Sequence, residues 1–208
     1  MISKCITRFF EQETLLTDMF QTVEGHGAAS APVLSRECCG QLLSEIETNS
    51  YTFALEARDQ GTESMRVYQE LATFNDFPEE SAFLLLKDVF EACLERYAES
   101  LSRYPFSFSP LFNACTLTRY LAGSLGITPH RDPLKYKNLI CIFMLKGNGK
   151  FFLCADRSGQ NAQEIAASAG NVIFLRAPGF RGIDKRPFHF VTGIDTTRYT
   201  FALRQEGR

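Results

Sequence analysis

From residue 113 onward the chain is cut into short β-rich runs, "NACTLTRYL", "NLICIFMLK", "GKFFLCAD", "NVIFLRA", "FHFVTGI" and "TRYTFALRQ", and no other feature limits its fold as much. Turn signals separate them, among them "KGNGK" at 146–150, "DRSGQN" at 156–161 and "SAGN" at 168–171, where Gly, Asn, Asp and Ser supply the conformations a tight reversal needs. About eight short strands in half a chain cannot hide their apolar faces in one flat sheet. They imply two sheets stacked as a jelly roll, or a closed barrel.

The first half has a different rhythm. Residues 11–23 and 35–48 carry short amphipathic helical patterns, and "GHGAASAP" between them reads as a loop. Over 78–101 the helical signal is clearest: Phe83, Leu86, Phe90, Cys93, Tyr97 and Leu101 recur at three to four residues, with Pro78, Glu79 and Glu80 suited to the first turn. The stretches "SYTFALEA" and "SMRVYQELATF" read as strands or as a hairpin that covers something. The expected architecture is mixed α+β, a jelly-roll (double-stranded β-helix) core backed by N-terminal helices. One domain is expected over 1–208, with 1–112 as helical support and possible substrate lid and 113–208 as the core.

Hydrophobic residues make 45% of the chain and charged residues 22%, the composition of a globular protein and not of a disordered one. No run reaches the length of a membrane span, and charge interrupts "MISKCITRFFEQETLL" before a signal-peptide core can form. A cytoplasmic location without membrane attachment is therefore expected. The seven cysteines are scattered without a C-x-x-C pair, and most stand in apolar runs. They read as buried reduced thiols, not a zinc site. The net charge of −2 conceals an asymmetry: residues 1–101 hold 7 basic against 18 acidic residues, and residues 102–208 hold 15 against 6. Two layers of opposite charge can simply attract each other. The alternative is a second half that handles an anion, whether a carboxylate cofactor, an acidic substrate or a phosphate.

Only three histidines occur, His26, His130 and His189. His26 stands in a Gly/Ala/Ser stretch and reads as solvated. His130 and Asp132 are two apart in "ITPHRDPLKYK", so on a strand they would offer a nitrogen and a carboxylate oxygen to one point. His189, in "KRPFHFVTG", would be a third ligand. Two histidines and one carboxylate form the facial triad of non-haem Fe(II), which leaves positions open for cosubstrate and oxygen. Taken singly, each has a plainer reading: His130-x-Asp132 as a turn, His189 as a packed core histidine. Beyond His189, "TRYTFALRQ" places Arg198, Thr200, Ala202 and Arg204 at even spacing, hence on one strand face. Arginine on an apolar strand is costly unless it meets an anion, and its planar fork suits a carboxylate.

The ordered set His130-x-Asp132, His189 and Arg198-x-Thr200 resembles the Fe(II)/2-oxoglutarate-dependent oxygenases. More narrowly, "TRYLAG…HRD…H…RYTFALRQ" resembles their AlkB-like branch over residues 116–205, with Thr118 where that branch has asparagine and one extra residue between Gly123 and His130. The resemblance implies a jelly-roll dioxygenase with Fe(II), 2-oxoglutarate and O₂, the iron held by His130, Asp132 and His189. It implies that Arg198 pairs with the distal carboxylate of 2-oxoglutarate, aided by Tyr120, Thr200 and Thr118, and that Arg204 lies near the cosubstrate's other end or the substrate. The presence of Asp132 implies hydroxylation in place of halogenation, with release of succinate and CO₂.

Substrate is read from charge. The acidic first half, where the AlkB-like branch carries its nucleotide-recognition lid, would repel a phosphate backbone, which favours a small-molecule or amino-acid-like substrate. Nucleic acid, met by the basic second half, is the alternative. A non-catalytic jelly-roll metal- or ligand-binding protein is a third reading, disfavoured by the intact triad and both arginines. Candidate substrate contacts are Tyr51, Arg66 and Tyr68 in the stretch 51–74, and Arg176, Arg181 and Arg186 ahead of His189.

Overall fold

A computed structural model describes residues 1–60 and 66–207. Its helices are α1 (Ile2–Phe10), α2 (Glu13–His26), α3 (Arg36–Thr48) and α4 (Ala82–Ser100). The first strands are β1 (Ala28–Pro32), β2 (Ala54–Leu55), β3 (Asp59–Gln60), β4 (Val67–Tyr68) and β5 (Ala72–Phe74). The core follows as β6 (Ala114–Tyr120), β7 (Ile127–His130), β8 (Tyr136–Lys146), β9 (Lys150–Cys154), β10 (Gln163–Ile165), β11 (Asn171–Arg176), β12 (Phe188–Thr192) and β13 (Arg198–Glu206). Two sheets stack: one in the order β1-β11-β8-β13-β6-β5-β2, the other β10-β9-β12-β7. Along β6 to β13 the chain passes back and forth between them with antiparallel pairing throughout, the jelly-roll path.

The pleat decides which side chains go where. On β8, Leu139, Cys141, Phe143 and Leu145 join the helical layer, while Ile140 and Met144 face the second sheet. On β13, Phe201 and Leu203 likewise face the helices. α1 packs on α4, α3 on β8, and α2 on β1 and β11. Phe83, Phe90, Phe143, Phe174 and Phe201 are buried in this layer, and most of their ring pairs meet edge-on or tilted at 5–6 Å.

Three local expectations need correction. "GHGAASAP" is not a loop: Gly27 ends α2 in a left-handed conformation (φ 100°), and the alanine-rich β1 pairs along β11 from Ala28↔Leu175 to Pro32↔Asn171. Tertiary pairing there overrides the weak strand propensity of alanine. A nine-residue helix, α1, precedes the first one expected, and buries Ile2, Ile6 and Phe9. The long helix starts at Ala82 and not near Pro78, with Ser81 as its N-cap accepting from Phe83 N. Its dipole is met from another helix, because the Glu45 carboxylate of α3 accepts from Ala82 N at 2.7 Å.

The stretch 51–74 forms short strands beside the mouth of the sandwich. β5 extends the larger sheet from β6, and Gln69 bridges to Ile127 of β7. Residues 61–65 of that stretch lie outside the described residues. No helix among the described residues is long and apolar enough to cross a membrane. Phe201 is fully buried and touches Phe77, Phe83 and Phe143, so Phe201→Ala should lower unfolding stability by about 3–5 kcal/mol in a denaturant titration. A loss under about 1 kcal/mol would mean that the helix-to-sheet packing is not what holds the larger sheet.

Candidate metal and anion site

His130, Asp132 and His189 converge. β12 pairs with β7 so that His189 stands opposite His130, with ring centroids 4.3 Å apart. β7 ends at His130, so Asp132 lies in the following loop and not on the same strand, contrary to the expected shared strand face. Its Oδ2 nevertheless comes within 3.2 Å of His189 Nε2. One donor atom from each of the three residues lies within 4.8 Å of the others.

His130 Nδ1 is 2.9 Å from Thr128 O and His189 Nδ1 is 3.4 Å from Pro187 O. A carbonyl only accepts, so His130 carries its proton on Nδ1 and keeps the Nε2 lone pair for a ligand. The His189 ring lies between two acceptors, Pro187 O and Asp132 Oδ2, and a ligand at its Nε2 would leave the proton on Nδ1. Phe151 stacks on His189 at 5.4 Å and 14°, fixing the ring plane. Burial, followed by the neighbouring His130, lowers the His189 pKa from its ordinary 6.5 to about 4. Burial alone would raise the Asp132 carboxyl, but His189, Arg204, His130 and Arg186 together hold it below the usual carboxylate range. The site thus offers two neutral imidazoles and one carboxylate, the protonation states a divalent metal requires.

These groups line a cavity of about 380 Å³ between the sheets. Arg198, Thr200, Ala202 and Arg204 of β13 all reach it, as do Thr116, Thr118 and Tyr120 of β6. Register pairs Arg198 with Tyr120 and Thr200 with Thr118. Arg198 is 2% exposed, and its only hydrogen-bond partner among the described residues is the weak acceptor Met144 Sδ, leaving Nη1 buried without a partner. Burial lowers its pKa, with Tyr120 opposing. A guanidinium held this way costs several kcal/mol unless an anion joins it. Gly149 makes room for it, since a Cβ there would lie 2.6 Å from Arg198 Nη1. Arg204 Nε approaches Asp132 Oδ1 at 3.9 Å and is likewise buried without a hydrogen bond.

Other candidates fall elsewhere. Arg66 is outside the cavity and pairs with Asp59 at 3.1 Å; Tyr68 is 43% exposed and also outside, its N–H donating to Thr128 Oγ1. Tyr51 stacks on Phe74 at 4.0 Å. Arg176 donates to the Val23 and Glu24 carbonyls at the end of α2, and Arg181 pairs with Glu24. Arg186 does reach the site, where its Nη1 donates to the Asp132 carbonyl. Sequence reasoning missed Glu56, Gln69 and Thr73 from the stretch 51–74, and Ile142, Met144 and Phe151 from the core, all of which line the cavity. The inward parity of β8 and β9 was the available signal for the last three, legible only once one face had been assigned.

No protein-family model and no curated protein sequence matches the chain. Solved structures do. A prolyl hydroxylase from Trichoplax adhaerens, in complex with a hypoxia-inducible-factor oxygen degradation domain peptide fragment, superposes with TM-score 0.69 at 14% identity, covering 96% of this chain and 92% of that one. The fold is that of the 2-oxoglutarate/Fe(II) oxygenases. A Pseudomonas putida prolyl-4-hydroxylase gives 0.63 at 11% identity over 93% of this chain and 100% of that one. A 2OG-Fe(II) oxygenase family member from Burkholderia pseudomallei gives 0.62 at 14% over 92% of each.

Because His189 stays neutral in the fold where the unfolded imidazole would already be protonated, the metal-free protein should lose stability as pH falls from 6.5 toward 4. NMR of the metal-free protein should show an uncharged His189 ring at pH 6. A titration centred near 6.5 would contradict the burial argument.

Proposed function

We propose that the chain is a non-haem iron dioxygenase that uses 2-oxoglutarate and O₂ to hydroxylate a C–H bond of a small-molecule or amino-acid-like substrate. The observation that carries this reading is the coexistence, in one cavity, of a two-histidine, one-carboxylate set and a buried guanidinium whose Nη1 has no hydrogen-bond partner among the described residues. The donor set suits Fe(II) and the guanidinium suits a dicarboxylate cosubstrate. Arg204 follows Arg198 by six positions on one cavity-facing strand face, which supports the AlkB-like branch.

His130 and His189 would hold the metal through Nε2 and Asp132 through a carboxylate oxygen. Arg204, beside Oδ1, leaves Oδ2 on the His189 side, and Arg186 fixes the backbone of the same residue. Arg198 would take the distal carboxylate of 2-oxoglutarate, with Thr118, Thr200 and Tyr120 around it. Ile142, Met144, Phe151 and Val191 form the apolar lining and keep water from the reacting centre. The iron with its cosubstrate and O₂ supplies the oxidising chemistry, yielding succinate and CO₂; the protein supplies position and charge. Glu56 on the lid side of the cavity supports a small substrate over a phosphate backbone.

Succinate release from 2-oxoglutarate tests the reading. Arg198→Gln should raise the 2-oxoglutarate concentration needed for half-maximal turnover on the order of 100-fold, equivalent to about 2.7 kcal/mol. An unchanged requirement would remove Arg198 from cosubstrate binding.

A further inference from the structure

Three arginines meet at the end of the smaller sheet that carries the histidines. β12 runs antiparallel to both β7 and β9, with His189 opposite His130 and Phe188 opposite Cys154. The segments leaving β7 and β9 and the segment entering β12 are thereby brought to one end. They carry Arg131, Arg157 and Arg186 respectively. The Arg131 guanidinium lies 4.0 Å from the centroid of the Phe188 ring and that of Arg157 lies 5.8 Å from the same centroid. Arg186 donates to the Asp132 carbonyl, and Arg131 lines the cavity itself. None of the three forms an ion pair with a carboxylate side chain among the described residues, whereas Arg58, Arg66, Arg181 and Arg204 each do.

We propose that Arg131, Arg157 and Arg186 form a collar that binds an anionic group of the substrate, a carboxylate or a phosphate, at the mouth of the cavity. Its role in substrate selection rests on the oxygenase reading; its capacity to bind an anion does not. A guanidinium placed over an aromatic ring engages that ring through its charge and keeps its N–H donors for a second partner, in a planar fork that matches two oxygens of an anion. The Arg131 and Arg157 charges, against one ring, also repel. A bound anion relieves that repulsion. The collar is distinct from the anion site at Arg198, which belongs to the larger sheet. Glu56, from the stretch 51–74, lines the same cavity. An anionic substrate group would be drawn to the collar and repelled by the Glu56 carboxylate.

The test is a titration of the ¹⁵N-labelled, metal-free full chain with inorganic phosphate and, separately, with N-acetylglycinate, at constant ionic strength. Arginine Nε–Hε resonances are followed by NMR. The resonances of Arg131, Arg157 and Arg186 should shift together and saturate, and Arg157→Gln should weaken the apparent affinity at the other two by about threefold or more, as expected for partly exposed charges. Tighter binding of phosphate would identify a phosphoryl-bearing substrate and tighter binding of N-acetylglycinate a carboxylate, and either result supports the collar. A response confined to Arg198, shifts reproduced by sodium chloride alone, or affinity unchanged by Arg157→Gln would overturn it. No metal, 2-oxoglutarate or turnover enters the titration, so its failure is distinguishable from failure of the oxygenase reading.

Discussion

The two-residue period of β13 is the constraint on which the rest of the structure depends. β13 lies between β8 and β6 in the larger sheet, so both of its edges are paired and its two faces point to different layers. One face gives Phe201 and Leu203 to the helical layer. The other gives Arg198, Thr200, Ala202 and Arg204 to the cavity. A slip of one residue would exchange the faces, driving two guanidiniums into phenylalanine packing and two apolar side chains toward His130, Asp132 and His189. The apolar packing that stabilises the sheet therefore also fixes the position of the two guanidiniums.

The smaller sheet supplies the complementary half. Register places His189 against His130, and the chain turns immediately afterwards so that Asp132 reaches the same point from a loop. Backbone carbonyls stand beside both imidazoles, Arg204 approaches the Asp132 carboxylate, and Arg186 holds the backbone carbonyl of the same residue. Positive charge near Asp132 keeps it ionised despite burial. The buried Arg198 Nη1, without a partner among the described residues, carries a cost that a carboxylate would offset.

Much of this was legible in the sequence where side-chain identity and period spoke together. Short strands between turn residues indicated the jelly roll, and the even spacing from Arg198 to Arg204 indicated one face. What escaped was set by partners distant in the chain. β1 is a strand because β11 pairs with it, not because "AASAP" favours extension. α4 begins at Ala82 because Glu45 of another helix accepts from the Ala82 N–H. Arg66 and Arg186 look alike as isolated basic residues, yet one pairs with Asp59 at the surface and the other holds the backbone of Asp132. Arginine in a loop carries no mark of its partner until the fold provides one.

The central claim is that one cavity chelates Fe(II) through His130, Asp132 and His189 and receives 2-oxoglutarate beside it. The most direct measurement is an anaerobic titration of the metal-free protein with Fe(II) and then 2-oxoglutarate, followed by visible absorption. A weak charge-transfer band should grow on addition of the cosubstrate in the native protein and be missing in His189→Ala. Iron binding without such a band would contradict the account.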